Sequence, residues 1–588
     1  MKEIHLNPQQ QEAVSHKEGP MIVLSVAGSG KTMVLTERII RLIEEGFDPS
    51  RLLAITFAKK AVLEIQSRLK KRLNGNGNKA LVCTFHSLGY RILKRENSLG
   101  IGCRLVQEAD QLNLIRLALE RVRLEDDPEE TMRKVSLAKN DLVSAVDLEG
   151  STKPEDKNLA RVYSSYELLK RRKRLLDFDD LLYLPYQLFT THAGILARYQ
   201  NRFRQILIDE FQDSSRVMVE LVKLLSQSHR NVWLAGDDDQ SIHGFRGARS
   251  EIFVSFEKEY GAHAKTITMA HNYRSTGKII RSANNLIAHN RKRVIKEMTA
   301  NNGDGEDIEI LEGEDEYAEA EAIAKRIIDL TEEGYQFGEI AILARLYRLM
   351  PLIEGALIKE KIPYASSGGF LYDRQDVKTM FSVIKFLFGG DGEYLDQKLL
   401  KAIRAELYED DEEITLRSAL ETASLYVLKK WETTDALDED EKTLRKSYLD
   451  AFEYLVAPYQ DLDELQAHME EAGGISKWSP DGKVSLMTIH QAKGLEFKCV
   501  IIPGANEGIL PHVNSIEQVI LNLEEERRLM YVAMTRAMER LIITYRKRQE
   551  GQAITAPSRF IQEIAIPPLT VTDIKELPSR EISSDLTL

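Results

Sequence analysis

Ser25-Val26-Ala27-Gly28-Ser29-Gly30-Lys31-Thr32 joins an apolar run, Met21-Ile22-Val23-Leu24, to residues 33–40, which read as a helix. Strand, loop of small residues, Gly-Lys-Thr and helix together make a phosphate-binding loop. The loop's backbone N–H groups and the helix N-terminus offer an anion hydrogen bonds and positive potential. Lys31 adds a point charge for the β/γ-phosphates, and the Thr32 hydroxyl suits Mg²⁺. The strict pattern has Gly where this chain has Ser25. The chemistry is NTP binding. A second apolar run, Ile206-Leu207-Ile208, ends in Asp209-Glu210. One carboxylate there can hold Mg²⁺ opposite a phosphate loop while its neighbour polarises the attacking water. Ala235-Gly236-Asp237-Asp238-Asp239-Gln240 ends another strand in polar groups suited to sensing a phosphate or its metal.

Parallel strands would position these groups, and the chain carries their pattern. Asn7 reads as a helix N-cap with Pro8 at the first helical position. Buried strands are expected at 52–57, 81–85, 205–209 and 232–236, and a helix at 59–73 broken by Asn74-Gly75-Asn76-Gly77-Asn78. Residues 88–200 have helical periodicity without strand patterns, which predicts a helical insertion. A second α/β region starts near 275, with Glu339-Ile340-Ala341-Ile342-Leu343 as a strand. Residues 373–478 are helical and acid-rich, strands return at 484–488, 499–502 and 541–544, and a loose tail is expected from 566. Alternating strands and helices favour parallel sheets with ligands at the strand carboxyl ends.

A length of 588 residues predicts about four domains. No apolar run approaches the ~18 residues of a membrane span, and residues 1–8 lack a signal core, so no membrane association and a cytoplasmic location are expected. Three scattered cysteines exclude a Cys-rich metal site and a disulfide framework. The net charge of −12 argues against a protein that coats nucleic acid. Basic clusters at Lys59-Lys60, 68–72, 170–174 and Arg291-Lys292-Arg293 leave two readings, a DNA-binding groove or solvated helix faces. The same choice, partner surface or solvated helix, attaches to the acidic stretch within 409–441.

Asp209-Glu210-Phe211-Gln212-Asp213 and Gly236-Asp237-Asp238-Asp239-Gln240-Ser241-Ile242 resemble the second and third motifs of superfamily 1 DNA helicases of the UvrD/Rep/PcrA type. Thr56-Phe57-Ala58-Lys59-Lys60-Ala61, Thr84-Phe85-His86-Ser87, Asp177-Phe178-Asp179-Asp180-Leu181-Leu182 and Asn272-Tyr273-Arg274-Ser275 resemble further motifs, in order. So do Met487-Thr488-Ile489-His490-Gln491-Ala492-Lys493-Gly494-Leu495-Glu496-Phe497 and the run 524–537 that carries Arg536. The resemblance implies an α/β fold of two RecA-like P-loop NTPase domains, parallel sheets with flanking helices, each with a mainly helical insertion. The expected boundaries are 1–87 with 195–275 for the ATP-binding domain and 88–194 for its insertion. They are 276–372 with 479–565 for the second domain, 373–478 for its short insertion and 566–588 for the tail.

The resemblance further implies ATP and Mg²⁺ as cofactors. Gln10 would read adenine, Tyr273 stack on it, Glu496 meet the ribose, and Ala27, Gly28, Ser29, Gly30, Lys31 and Thr32 hold the phosphates. Thr32 and Asp209 would bind the metal, Glu210 would activate water, and Gln240 would report the γ-phosphate. Arg274 and Arg536 would complete charge stabilisation when the lobes close. Thr56, Phe57, His86, His243, Phe245, Arg246, His490 and Phe560 are the implied DNA contacts. The implied function is an ATP-dependent 3′-to-5′ helicase and translocase. It would work on single-stranded DNA and single/double-strand junctions, with repair or replication proteins as partners and a nucleoid-associated location. Two alternatives stand beside it: a translocase that strips proteins without processive unwinding, and a non-catalytic DNA-binding scaffold. Departures from the family pattern are His243 and Phe245 for Tyr and Trp, Gln491 for Ser, and a second insertion of about 105 residues. With so few residues after Ile564, no fused nuclease domain is expected.

Overall fold

The apolar runs become strands buried on both faces. This computed structural model describes residues 5–73, 76–96, 103–244, 247–248, 255, 259–261, 264–390, 395–407, 414–433, 439–476, 482–513, 520–548, 555–565 and 570–572. The chain divides into two units, Met1–Tyr273 with Arg291–Thr299, and Arg274–Asn290 with Ala300–Leu588. The expected division at 275/276 thus falls two residues earlier, and a short stretch returns from the second unit to the first.

Unit 1 is built on β1 (Met21–Ser25), β2 (Leu52–Ile55), β3 (Leu81–Cys83), β4 (Gln205–Ile208), β5 (Val232–Gly236) and β6 (Lys265–Met269). They form one parallel sheet in the order β3-β2-β4-β5-β1-β6. Side chains alternate across it, as the period of two requires. Ile22, Leu24, Leu53, Ile55, Ile206, Ile208 and Leu234 enter one core. Met21, Val23, Leu52, Ala54, Leu207, Trp233 and Ala235 enter the other. Helices α1 (Pro8–Ser15), α2 (Lys31–Glu44), α3 (Lys59–Arg72) and α4 (Phe85–Arg95) follow in chain order. At α1, Asn7 and Gln10 close a reciprocal capping box.

The first insertion, with α5 (Glu108–Val122), α6 (Pro128–Asn140) and α7 (Pro154–Lys173), has its own core of Leu114, Ile115, Val135, Val162 and Tyr166. It is not purely helical: Arg104–Leu105 pairs in parallel with Leu175–Leu176, a two-residue ladder too short to show as a sequence pattern. Before α8 (Asp180–Thr191) lies a buried charge network. The Lys139 ammonium meets Asp177 at 2.7 Å and Asp180 at 2.8 Å, and that of Lys170 meets both at 2.6 Å. Tyr166 donates to Asp177 at 2.7 Å. Lys170 therefore leaves the basic cluster at 170–174 and serves structure. Burial alone would push the Asp177 carboxyl up, but the two ammonium groups outweigh it and hold it below its usual value. Asp177→Asn removes the carboxylate that both ammonium groups and Tyr166 share and leaves Asp180 and Glu167 as their countercharges, so it is expected to lower stability by ~1–3 kcal/mol in denaturant unfolding.

Unit 2 carries β7 (Glu309–Gly313), β8 (Ile340–Ala344), β9 (Tyr364–Ser366), β10 (Val484–Thr488), β11 (Phe497–Ile502), β12 (Ala537–Arg546) and β13 (Thr570–Thr572). The order is β9-β10-β8-β11-β12-β7-β13, again parallel. The last strand corrects the expected loose tail: three β-branched residues, Thr570, Val571 and Thr572, extend the sheet edge along β7. The rest of 566–588 and the acidic residues 409–413 and 438 lie outside the described residues or have no described side-chain setting.

Helices α9 (Gly277–Ala288), α10 (Glu316–Glu332), α11 (Met350–Lys359), α12 (Gln375–Leu387), α13 (Leu416–Thr433), α14 (Glu439–Val456) and α15 (Ile520–Met534) complete the parts of unit 2 used below. The second insertion has no core of its own among the described residues. Its Val377, Ala419, Tyr426, Leu449 and Phe452 share one core with Ile342 and Leu486 of the sheet and Ile323 and Leu357 of α10 and α11. At Gly355 a Cβ would stand 3.3 Å from the Tyr454 ring, so a larger residue there must displace that ring slightly.

Glu354 lies buried in this packing and accepts from Tyr364 at 3.0 Å and Ser366 at 2.9 Å. Burial pushes its carboxyl up to about 7 despite those donors. Between the ordinary carboxylate value and 7 the folded state binds the extra proton, so this group's contribution to stability is lost as pH rises through that window. Glu354→Gln is expected to flatten the fall in melting temperature between pH 5 and 8, and to add up to ~3 kcal/mol at pH 8.

Candidate functional site

The phosphate loop needs left-handed backbone at two places, and both are glycine: Gly28 at φ 65° and Gly30 at φ 80°. Ser25 is outside that requirement. Its hydroxyl donates to the Gly236 carbonyl at 2.7 Å, tying β1 to the end of β5, so the departure from the strict pattern costs no strain. Asn272 Nδ2 donates to Ala27 O at 2.8 Å and Tyr273 N to Gly28 O at 3.0 Å, which brace the loop. Helix α2 begins without a side-chain cap, which leaves its first N–H groups to an anion. The buried Ser29 hydroxyl has no protein hydrogen-bond partner, and Ala27 is buried beside it. The loop fits a polyphosphate.

Thr32 Oγ1 donates to Asp209 Oδ2 at 2.7 Å. A hydroxyl and a carboxylate this close are hard oxygen donors that fit Mg²⁺. Burial, with the neighbouring Glu210 charge, pushes the Asp209 carboxyl up to about 6, a cost that a cation there would relieve. Glu210 takes a left-handed backbone, φ 54°, which is strained for a residue with a Cβ. Its carboxylate lies 3.7 Å from the Lys31 ammonium. From it a chain of hydrogen bonds runs onward: Gln212 Nε2 donates to Glu210 at 2.5 Å, and Asp237 N donates to Gln212 Oε1 at 2.9 Å. Gln240 Nε2 then donates to Asp237 at 2.6 Å. Lys31, Thr32, Asp209, Glu210 and Gln240 thus belong to one connected group; the links are Gln212, to which the sequence assigned no role, and Asp237, read there only as one of a run of polar groups suited to a phosphate or its metal.

Gln10 is buried, donating to Ser29 O at 3.0 Å and accepting from Asn7 N at 3.0 Å. The Tyr273 ring is 40% exposed, and its hydroxyl accepts from Asn7 Nδ2 at 2.7 Å. Asn7, read from sequence as a cap alone, therefore also fixes the ring beside Gln10's helix.

In unit 2, Arg274 Nε donates to Glu496 at 2.8 Å and its Nη1 to Thr535 O at 3.0 Å. Arg536 is buried, donating from Nε to Val532 O at 3.0 Å and from Nη1 to Leu495 O at 3.2 Å. Arg274, Glu496 and Arg536 are thus neighbours, though drawn from segments far apart in sequence.

The expected DNA contacts divide. Phe57 is half-buried with its ring edge on Phe85 at 5.7 Å. His86 is half-exposed and meets Phe178 edge-on at 6.0 Å. Phe178 is 50% exposed and lies between Asp177 and Asp180, whose carboxylates each accept the other's backbone N–H; the sequence carried it inside a motif without a role. Thr56 is buried, His243 and His490 are partly exposed, and Phe245 and Arg246 lie outside the described residues. Phe560 needs correcting. It has no exposed surface and lies under the Arg527 guanidinium at 5.5 Å, so its ring packs unit 2 and offers no face to a base. Gln491, where the family has Ser, accepts from Thr488 N at 3.1 Å and donates to Tyr347 at 2.8 Å, locking the turn that carries His490.

A parallel-sheet unit with a phosphate loop, followed by a second parallel-sheet unit, fits a P-loop NTPase with two RecA-like domains. Residues 6–261 match the UvrD/REP helicase N-terminal domain, and residues 267–406 and 463–548 match the UvrD-like helicase C-terminal domain. The chain is similar to the ATP-dependent DNA helicase PcrA of Staphylococcus aureus at 32% identity, over 95% of this chain and 86% of that protein. The same identity and coverage hold for PcrA of Staphylococcus epidermidis. The chain belongs to the UvrD/Rep/PcrA family of superfamily 1A helicases. It is a DNA-dependent ATPase and helicase that uses ATP and binds DNA, which sets aside the non-catalytic scaffold. Among the described residues no helix is long and apolar enough to cross a membrane.

Proposed function

We propose that this helicase moves 3′ to 5′ on single-stranded DNA and opens duplex at single/double-strand junctions, in repair or replication. The observation that carries the reading is the path that starts with the Lys31–Glu210 ion pair and runs on by hydrogen bonds through Gln212 and Asp237 to Gln240, two residues from Ile242 and three from the candidate DNA contact His243. A change at the γ-phosphate alters the charge that Glu210 and Lys31 share, and this path delivers it to the DNA-facing segment. Thr32 and Asp209 would hold Mg²⁺, which supplies charge to the phosphate oxygens. Glu210 accepts the proton of the attacking water, and Arg274 and Arg536 are assigned to the transferring phosphoryl group. Gln10, Tyr273 and Glu496 would hold the nucleoside. Phe57, His86, Phe178, His243 and His490 would grip bases without reading sequence. A cytoplasmic, nucleoid-associated location and contact with repair or replication proteins accompany the reading.

The second reading, a translocase that strips proteins without processive unwinding, draws on the second insertion sharing unit 2's core. Duplexes with a 3′ or a 5′ tail, and single strands blocked by streptavidin at either end, separate the two. The first reading expects ATP-dependent opening of the 3′-tailed duplex. The second expects streptavidin release from the 5′ end with the duplex left closed. Preference for a 5′ tail contradicts the polarity of both.

A further inference from the structure

After α9 the chain leaves unit 2, runs through Arg291–Thr299 in unit 1, and returns. Asn290, the last residue before this strap, is held by α15: its Nδ2 donates to Glu524 O at 3.0 Å and its Oδ1 accepts from Arg527 at 2.6 Å. Three residues on, Arg293 forks onto Asp239 with two bonds of 2.7 Å. Val294 N donates to Asp238 at 2.6 Å. The buried Lys296 ammonium then meets Asp237 at 3.1 Å, Asp239 at 2.7 Å and Asp238 more closely still. The basic run 291–293 thus turns one of its members inward, and only Arg291 and Lys292 are exposed.

Asp237, Asp238 and Asp239 bring ligand oxygens within 4.8 Å of one another in a buried place. The ammonium stands among them as the countercharge. Burial alone would discharge Lys296, but the three carboxylates outweigh it and keep it charged.

We infer that Lys296 is a positioning residue for ATP hydrolysis, acting through Asp237 on Gln240 and, by way of Gln212, on Glu210. The inference rests on the ATPase reading of the site. Asp237 Oδ1 meets the Lys296 ammonium and Oδ2 accepts from Gln240, so the ammonium sets where that carboxylate holds Gln240, while the backbone N–H of the same residue holds Gln212. Without the ammonium, three buried carboxylates repel one another, and the Asp237 carboxylate is left to the hydrogen bonds from Asp239 N at 3.2 Å and Gln240 at 2.6 Å. Lys296 does not belong to the phosphate loop or the adenine site, so nucleotide binding is left intact and the hydrolytic step suffers. The strap also lies, along the chain, between the helix leading to Arg536 and the segment holding Gln240.

The test uses the full chain with an oligo-dT cofactor, comparing wild type with Lys296→Met. Turnover, KM for ATP, binding of a fluorescent ADP and melting temperature are measured on each. Lys296→Met is expected to lower kcat by ~10–100-fold, with KM and ADP affinity close to wild type. A folded variant with wild-type kcat overturns the inference, whatever its melting temperature, because a merely structural residue would change only the folded fraction. Should Lys296→Met fail to fold, Lys296→Met combined with Asp238→Asn reduces the unbalanced charge and keeps an acceptor for Val294 N. The same loss of kcat is expected there, and wild-type kcat again overturns it. If wild type itself shows no DNA-stimulated hydrolysis, the ATPase reading fails instead.

Discussion

Glu210→Gln lowers DNA-stimulated turnover by ~10²–10⁴-fold, the range a lost general base commands, while ATP still binds. The amide cannot accept the proton of the attacking water, yet it is nearly the same size and can keep the hydrogen bond from Gln212. It also removes a negative charge 3.7 Å from Lys31 and lessens the repulsion felt by Asp209. Nucleotide affinity therefore holds or rises. Single-turnover hydrolysis beside equilibrium binding of a fluorescent ATP analogue checks this. A variant that loses binding in step with turnover would place Glu210 in the phosphate grip and leave the base unassigned.

Arg536→Ala is expected to cut turnover by ~10³–10⁵-fold, the effect of an arginine that stabilises a transferring phosphoryl group. Its donors are at present spent on the Val532 and Leu495 carbonyls and on Thr535 Oγ1. The substitution leaves those buried acceptors short of partners, at a cost of ~1–3 kcal/mol that a melting curve will register. Arg536→Lys restores the charge but not the planar fork, so it recovers little of the rate. Turnover near wild type in the Ala variant, at matched folded fraction, would remove Arg536 from the chemistry.

Most interior strands were legible because a parallel sheet covered on both faces writes continuous apolar runs, as in Met21-Ile22-Val23-Leu24 and Ile206-Leu207-Ile208; the interior strand Glu309–Gly313, whose residues are mostly half-buried, was not predicted. The edge strand Leu81–Cys83 was also legible, but two other edge strands were not. Lys265–Met269 exposes alternate residues, and Thr570–Thr572 is three residues long, so neither carries the signal. The phosphate loop, Asp209 and Glu210 were legible because their chemistry fixes residue type and spacing locally. The links made by Gln212, Asp237 and Lys296 were not, since each depends on a partner brought near by folding. Lys296 lies 57 to 59 positions from the acids it neutralises, and in sequence it is one basic residue among several. Phe560 misled for the same reason: a ring in a motif-rich stretch does not say which way it faces, and packing under Arg527 decided it. The clusters at 170–174 and 291–293 each hide an inward cation, so neither reading offered for them as whole clusters was complete.

Phosphate chemistry at Lys31 and Glu210 is expected to be coupled to a single strand. Steady-state ATP hydrolysis with and without oligo-dT, with Lys31→Ala as the blank, tests it most directly. Strong, saturable stimulation by the strand, absent in Lys31→Ala, is the predicted result. Hydrolysis that is the same with and without DNA would contradict it, and would return the exposed rings and basic clusters to ordinary surface.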